Sequence, residues 1–212
     1  MVDETQETRE FYLPNKMGRI FILSHEEILG KTGMNALLRI ADLQGWIGKL
    51  PANNFEPGFS FTTCGKISEA LEKMYGPTAG RGLALRTGHA AFKYGLREFS
   101  SLLGISDLSF RLLPLKIKIQ HGLEALTSLY NQYSDQIIRL EKDDGSYLWH
   151  IDRCPYCWER ASESPCCHHP VGIFQEAMRW ISGGKYFHVE ESQCIAAGDP
   201  SCTIRISRKP GD

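Results

Sequence analysis

Apolar residues recur at helical steps along most of this chain, and the period changes once, near residue 135. Over 17–50 the spacing is helical but interrupted at Gly30 and Gly33, which predicts two helices or one broken helix. The stretch 51–58 (PANNFEPG) holds two prolines and two asparagines and reads as a loop. A short helix is expected over 67–75, closed by Gly76-Pro77, and another from about 82 to 103, stopped by Gly104. Pro114 would break a helix interior and so marks a start or a kink. After it, Ile119, Leu123, Leu126, Tyr130 and Tyr133 recur at steps of 4, 3, 4 and 3, one apolar stripe along a helix.

Beyond that point the runs shorten. Residues 136–140 and 147–151 read as strands joined by Lys142-Asp143-Asp144-Gly145, whose Asp-Gly is a hairpin signal. Val171, Phe174, Met178 and Ile181, at steps of 3, 4 and 3, predict a helix ended by Gly183-Gly184. Two last strands, 186–195 and 202–207, flank the turn residues Gly198-Asp199-Pro200-Ser201. The expected class is therefore α+β: an antiparallel sheet of about four strands under a helical layer. Three parts are expected within one compact domain: a frayed polar arm over 1–15, a helical part over 16–134, and a sheet part over 135–212.

Composition narrows the function. With 24 basic and 25 acidic residues the net charge is −1, which speaks against direct DNA binding. The longest apolar runs, such as 20–23 and 112–115, fall far short of a membrane span, which takes about 18 residues. The opening ten residues are polar and acidic, unlike an export leader, so a cytoplasmic protein is expected. No nucleophile–base motif or dinucleotide fingerprint is evident, and the expectation is a binding protein rather than an enzyme. The glycine-rich stretch 76–82 lacks the Lys-Ser/Thr of a phosphate loop and reads as a turn and helix start. Arg111, Lys116 and Lys118 read as a solvated basic face.

Cysteine usage is the sharpest feature. Six of the seven cysteines fall between Cys154 and Cys202, with Cys64 apart. An odd count without an export signal argues against a disulfide framework and for a metal or redox site. Cys194 and Cys202 flank the last hairpin turn, and Cys202 shares a period with Ile204 and Ile206, so its sulfur should face the core. Glu191 lies three residues before Cys194, so both reach one ion only if the strand bulges between them. With Cys167 they form three thiolates and a carboxylate, a closed tetrahedral set suited to structural zinc. Cys154-Pro155-Tyr156-Cys157, followed by Cys166-Cys167-His168-His169, is a second candidate for a metal site, a redox pair, or inert apolar cysteines. Spacing leaves crossed pairings between the two sets open.

The run C-P-Y-C-W-E-R-A-S-E-S-P-C-C-H-H-P-V-G from Cys154, then V-E-E-S-Q-C-I-A-A-G-D-P-S-C-T-I-R-I from Val189, resembles the 4-vinyl reductase domain, closely over the C-terminal third and loosely before it. The resemblance implies kinship with the aromatic-sensing input domains of phenol- and xylene-responsive activators and with a bacteriochlorophyll-biosynthesis protein. It also implies a fold similar to the dimeric small subunits of the TRAPP complex, hence a homodimer. By motif, the sensors' zinc ligands fall on Cys167, Glu191, Cys194 and Cys202, and Cys154 and Cys157 stay unassigned. A pocket His and Trp carry over to His121 and Trp149. The implied function is a sensor or carrier for a small hydrophobic, ring-containing ligand, signalling through another protein. The alternatives are a tetrapyrrole carrier or accessory factor in vinyl reduction, with His121 or His150 as axial ligand, and a thiol redox sensor using Cys154 and Cys157.

Overall fold

Two long helices, each bent at a glycine, form most of the layer that covers the sheet. A computed structural model of the chain describes residues 10–105 and 108–211, without the side chains of Leu108 and Arg111. The expected arm over 1–15 thus lies outside the described residues as far as residue 9, and the basic face expected around Arg111 is described only at Lys116 and Lys118. From Tyr12 the chain is not an arm: β1 (Tyr12–Pro14) pairs antiparallel with β2 (Pro57–Ser60). Leu13 at 3% exposure supplies the apolar anchor that fixes it.

Helix α1 (Asn15–Ile40) leaves helical geometry at Gly30 (φ 70°) but not at Gly33. Helix α2 (Phe61–Phe99) starts at Ser60, whose hydroxyl accepts the Thr63 N–H at 3.1 Å. It breaks at Gly76 (φ 77°) and resumes at Pro77, the residue type suited to a first helical turn. Helices α3 (Leu108–Leu112) and α4 (Leu115–Tyr133) follow, and α4 begins directly after Pro114 as expected.

The sheet contains β3 (Ile138–Lys142), β4 (Ser146–Ile151), β5 (Val189–Gln193) and β6 (Cys202–Ser207) in the order β3-β4-β6-β5, all antiparallel. Between β4 and β5 lies α5 (His168–Ile181), whose Val171, Phe174 and Met178 are buried. They cover the inward face of the sheet, where Tyr147, Trp149, Ile151, Ile204 and Ile206 are each at most 2% exposed. This is the four-stranded antiparallel sheet under helices that the periodicity predicts. Among the described residues, no helix is long and apolar enough to cross a membrane.

Helices α2 and α5 cross with backbone against backbone. A Cβ on Gly88 would collide with the carbonyl of His169, and one on Gly172 with the carbonyl of Leu85. Two glycines facing each other permit this approach, and it sets where the N-terminal end of α5 sits. Gly172→Ala is therefore expected to lower stability by about 1–3 kcal/mol in urea unfolding. Gly82→Ala, on α2 with open space around it, should leave stability unchanged or raise it by up to ~1 kcal/mol.

Candidate metal centre and ligand cavity

The loop after β4 and the β5–β6 hairpin bring six cysteines together, all buried and none in a disulfide. The hairpin does so through its irregularities. Glu191 pairs with Ile204 and Gln193 with Thr203, so Ser192 is an extra residue, and this is the bulge that Glu191 and Cys194 need to face one point. A single turn, Ile195–Ala197, then closes at Gly198 in left-handed geometry. Asp199 accepts the Cys194 N–H at 2.8 Å, and the Ile195 N–H donates to the Cys202 sulfur at 3.3 Å.

Two overlapping ligand sets result, each with all ligand atoms within 4.8 Å of one another: Cys167, Glu191, Cys194 and Cys202, and Cys154, Cys157, Cys167 and Cys202. In the first, the sulfur–sulfur distances are 3.9 Å (Cys167–Cys194), 3.8 Å (Cys167–Cys202) and 3.9 Å (Cys194–Cys202). A zinc–thiolate tetrahedron with bonds of about 2.3 Å has sulfur–sulfur edges of about 3.8 Å, so these three sulfurs already form its face. Glu191 stands at the fourth corner. One of its oxygens accepts the Cys167 N–H at 2.6 Å, while Oε1 is buried with no hydrogen-bond partner among the described residues. Burial pushes this carboxyl up to about 9 and the Cys167 thiol higher still, and the neighbouring cysteines add to the rise, so that the Cys167 N–H offsets it only in part for Glu191. A divalent cation is the group that would let them ionise in place. The donor set, the edge lengths and the orphaned oxygen all fit zinc.

Next to the cluster, α1, α2, α4 and α5 enclose a cavity of about 100 Å³ whose walls are almost wholly apolar, with Met17, Phe21, Phe99, Leu123 and Ile173 among them. Its polar side chains are His169, Tyr130 and Tyr156. Thr87 donates its hydroxyl to the Ala84 carbonyl at 2.8 Å, so it accepts from His169 Nδ1 at 2.9 Å, and Nε2 is left as an acceptor. Burial holds His169 well below its ordinary value, and its neutral ring stacks on that of His25 at 5.4 Å. Burial pushes Tyr130 up to about 12. The cavity thus offers two neutral phenols and a neutral imidazole.

His121 is exposed on α4, its ring 6.0 Å from that of Phe110. Trp149, 1% exposed, packs in the core against Phe174 at 4.8 Å and borders a smaller void beside Tyr130 and Tyr156. Neither lines the larger cavity. His150 faces the opposite side of the sheet from Trp149, with Nδ1 2.9 Å from the Thr203 hydroxyl. Sequence reasoning missed His169, Tyr156 and Tyr130 as cavity residues. The available signal was position: two lie inside or beside the cysteine motif, and the third is on the α4 stripe.

No family model and no curated protein matches this chain. The resemblance to the 4-vinyl reductase domain therefore rests on the quoted motifs. Among solved structures, the chain is similar to an Fe(II) unliganded H-NOX protein mutant from K. algicida, at a TM-score of 0.56 and 12% identity, over 92% of this chain and 96% of that one. It is also similar to the phenol-responsive sensory domain of the transcription activator PoxR with phenol, at a TM-score of 0.48 and 17% identity, over 82% and 88%. The likeness to the H-NOX protein is one of fold.

Thr87→Val keeps the shape of the site but leaves the His169 Nδ1–H buried without an acceptor. Chemical denaturation at neutral pH should register a loss of about 1–3 kcal/mol.

Proposed function

We propose that this chain is a small-molecule-binding protein, a sensor or carrier, whose cavity takes a compact hydrophobic ring bearing one polar substituent. The observation that carries this reading is the cavity itself: apolar walls with His169, Tyr130 and Tyr156 among its lining residues. A few convergent polar groups in a greasy void orient a ligand, and an unused acceptor there favours a molecule that brings a donor, such as a hydroxyl. Size sharpens the choice. A dry cavity of about 150 Å³ accepts benzene, so a void of about 100 Å³ suits a single ring after small side-chain shifts. A tetrapyrrole would need a pocket several times larger. Because α4 and α5 both border the cavity, occupancy would alter their packing and offer a signal to a second protein or a second copy.

The same reading gives the centre of Cys167, Glu191, Cys194 and Cys202 a structural zinc. All four positions are filled by the protein, so no site remains for substrate, and the ion would contribute folding energy by tying the hairpin to the start of α5.

Titration with phenol or a cresol should quench Trp180, which borders the cavity, to saturation. Ala177→Phe, filling the cavity from α5, should abolish the response while the protein stays folded. Absence of saturable binding by any monocyclic aromatic at millimolar concentration would defeat the reading. Chelator treatment, or Cys202→Ala, should remove metal and lower the Tm by several degrees, read by metal analysis beside calorimetry.

A further inference from the structure

We infer that the cysteine cluster holds two zinc ions rather than one, bridged by the thiolates of Cys167 and Cys202. One ion takes Cys154, Cys157, Cys167 and Cys202; the other takes Cys167, Cys202, Cys194 and Glu191. This deepens the zinc reading above and rests on it.

The argument starts from the overlap. The two sets share two sulfurs 3.8 Å apart, and the sulfurs private to the first set are also within ligand spacing. Cys154 lies 3.6 Å from Cys167, and Cys157 lies 3.3 Å from Cys202. Neither distance is a disulfide, and both are near the edge of a thiolate tetrahedron. Either ion alone leaves part of the cluster unexplained. An ion only at the carboxylate site leaves Cys154 and Cys157 as thiols pressed against the back of two coordinated sulfurs. An ion only at the four-cysteine site leaves Glu191 Oε1 buried without a partner, and Cys194 3.9 Å from two bound sulfurs with no cation. Two ions engage five cysteines and Glu191, leaving Cys166 as a neighbouring thiol 3.8 Å from Cys194, and the shared thiolates lie between the cations and screen their repulsion.

The surroundings suit such a centre. Six anionic ligands around two divalent cations remain net negative, and Arg160 lies beside them with its side chain only 5% exposed. It is anchored by Glu72 at 2.9 Å and by the Tyr156 carbonyl at 3.1 Å. A redox dithiol, by contrast, needs access for its oxidant, and Cys154 and Cys157 are 0% and 4% exposed.

The second ion has a consequence for the cavity. Tyr156 lies between Cys154 and Cys157, and its ring borders the cavity. His169 lies two residues after the shared Cys167. The binuclear centre therefore holds two of the cavity's polar groups from behind.

Metal analysis of the full chain purified with zinc should return two ions per protein. Cadmium-113 NMR of the cadmium-substituted protein should show two resonances, coupled to each other through the bridging sulfurs. This measurement needs no variant. Cys157→Ser should leave one ion and weaken phenol binding severalfold, since the segment carrying Tyr156 loses its tether. Two uncoupled cadmium signals, a single ion per chain, or iron with inorganic sulfide would overturn the two-ion centre. Cys194→Ala should likewise keep one ion, at the four-cysteine site; one zinc in the unsubstituted chain, unaffected by Cys157→Ser and lost in Cys194→Ala, would overturn the two-ion centre while leaving the single-site reading intact, and no metal at all would overturn both.

Discussion

Buried sulfur and oxygen acids must either keep their protons or acquire a cation, and the C-terminal part of this protein is arranged around that requirement. Burial disfavours the ionised form of Glu191 at neutral pH, and its free oxygen has no hydrogen-bond partner among the described residues. Three separate pieces of chain meet there: the segment with Cys154 and Cys157, the turn with Cys166 and Cys167, and the hairpin with Cys194 and Cys202. Little regular structure lies between residues 152 and 167, so hydrogen bonding alone holds that segment weakly. A metal ion at the proposed centre would supply the missing cross-links, much as disulfides do in secreted domains.

The helical layer obeys a different constraint, that of close approach. Gly88 and Gly172 let α2 and α5 touch along their backbones, which places His169 against Thr87 and turns its ring toward the space between the helices. On the other side α4 stands off, and the void between them is walled by large apolar side chains interspersed with Ala91, Gly95, Gly122 and Ala177. Cavity and cysteine cluster are thus neighbours, sharing the segment around Tyr156 and the start of α5. A change in one has a short mechanical path to the other.

Much of this was legible in the chain. The steps of 3 and 4 after Pro114 and from Val171 predict α4 and α5, and the Asp-Gly turn predicts the β3–β4 hairpin. The need for a bulge between Glu191 and Cys194 follows from strand periodicity, and it occurs at Ser192. The helix start at Ser60 was less visible because its cap is a single hydroxyl, with no acidic residue three positions on. The strand at Tyr12 was hidden because three residues carry no measurable period. His121 came from the resemblance and does not line the cavity, whereas His169, never considered for it, does, and the reason is geometric. Which face of a helix meets a cavity depends on how its neighbours rotate it, and for α5 that rotation is set by Gly172 against Leu85.

By itself, then, the order of residues determined the elements, the hairpin turns and the types of ligand available, because these depend on periods and contacts a few residues long. Tertiary structure alone decided that Cys157 would lie beside Cys202, 45 positions away, and that the helices would leave a void instead of closing. Such outcomes arise from packing between distant segments, whose free energy is a small difference between large terms and has no local signature in the chain.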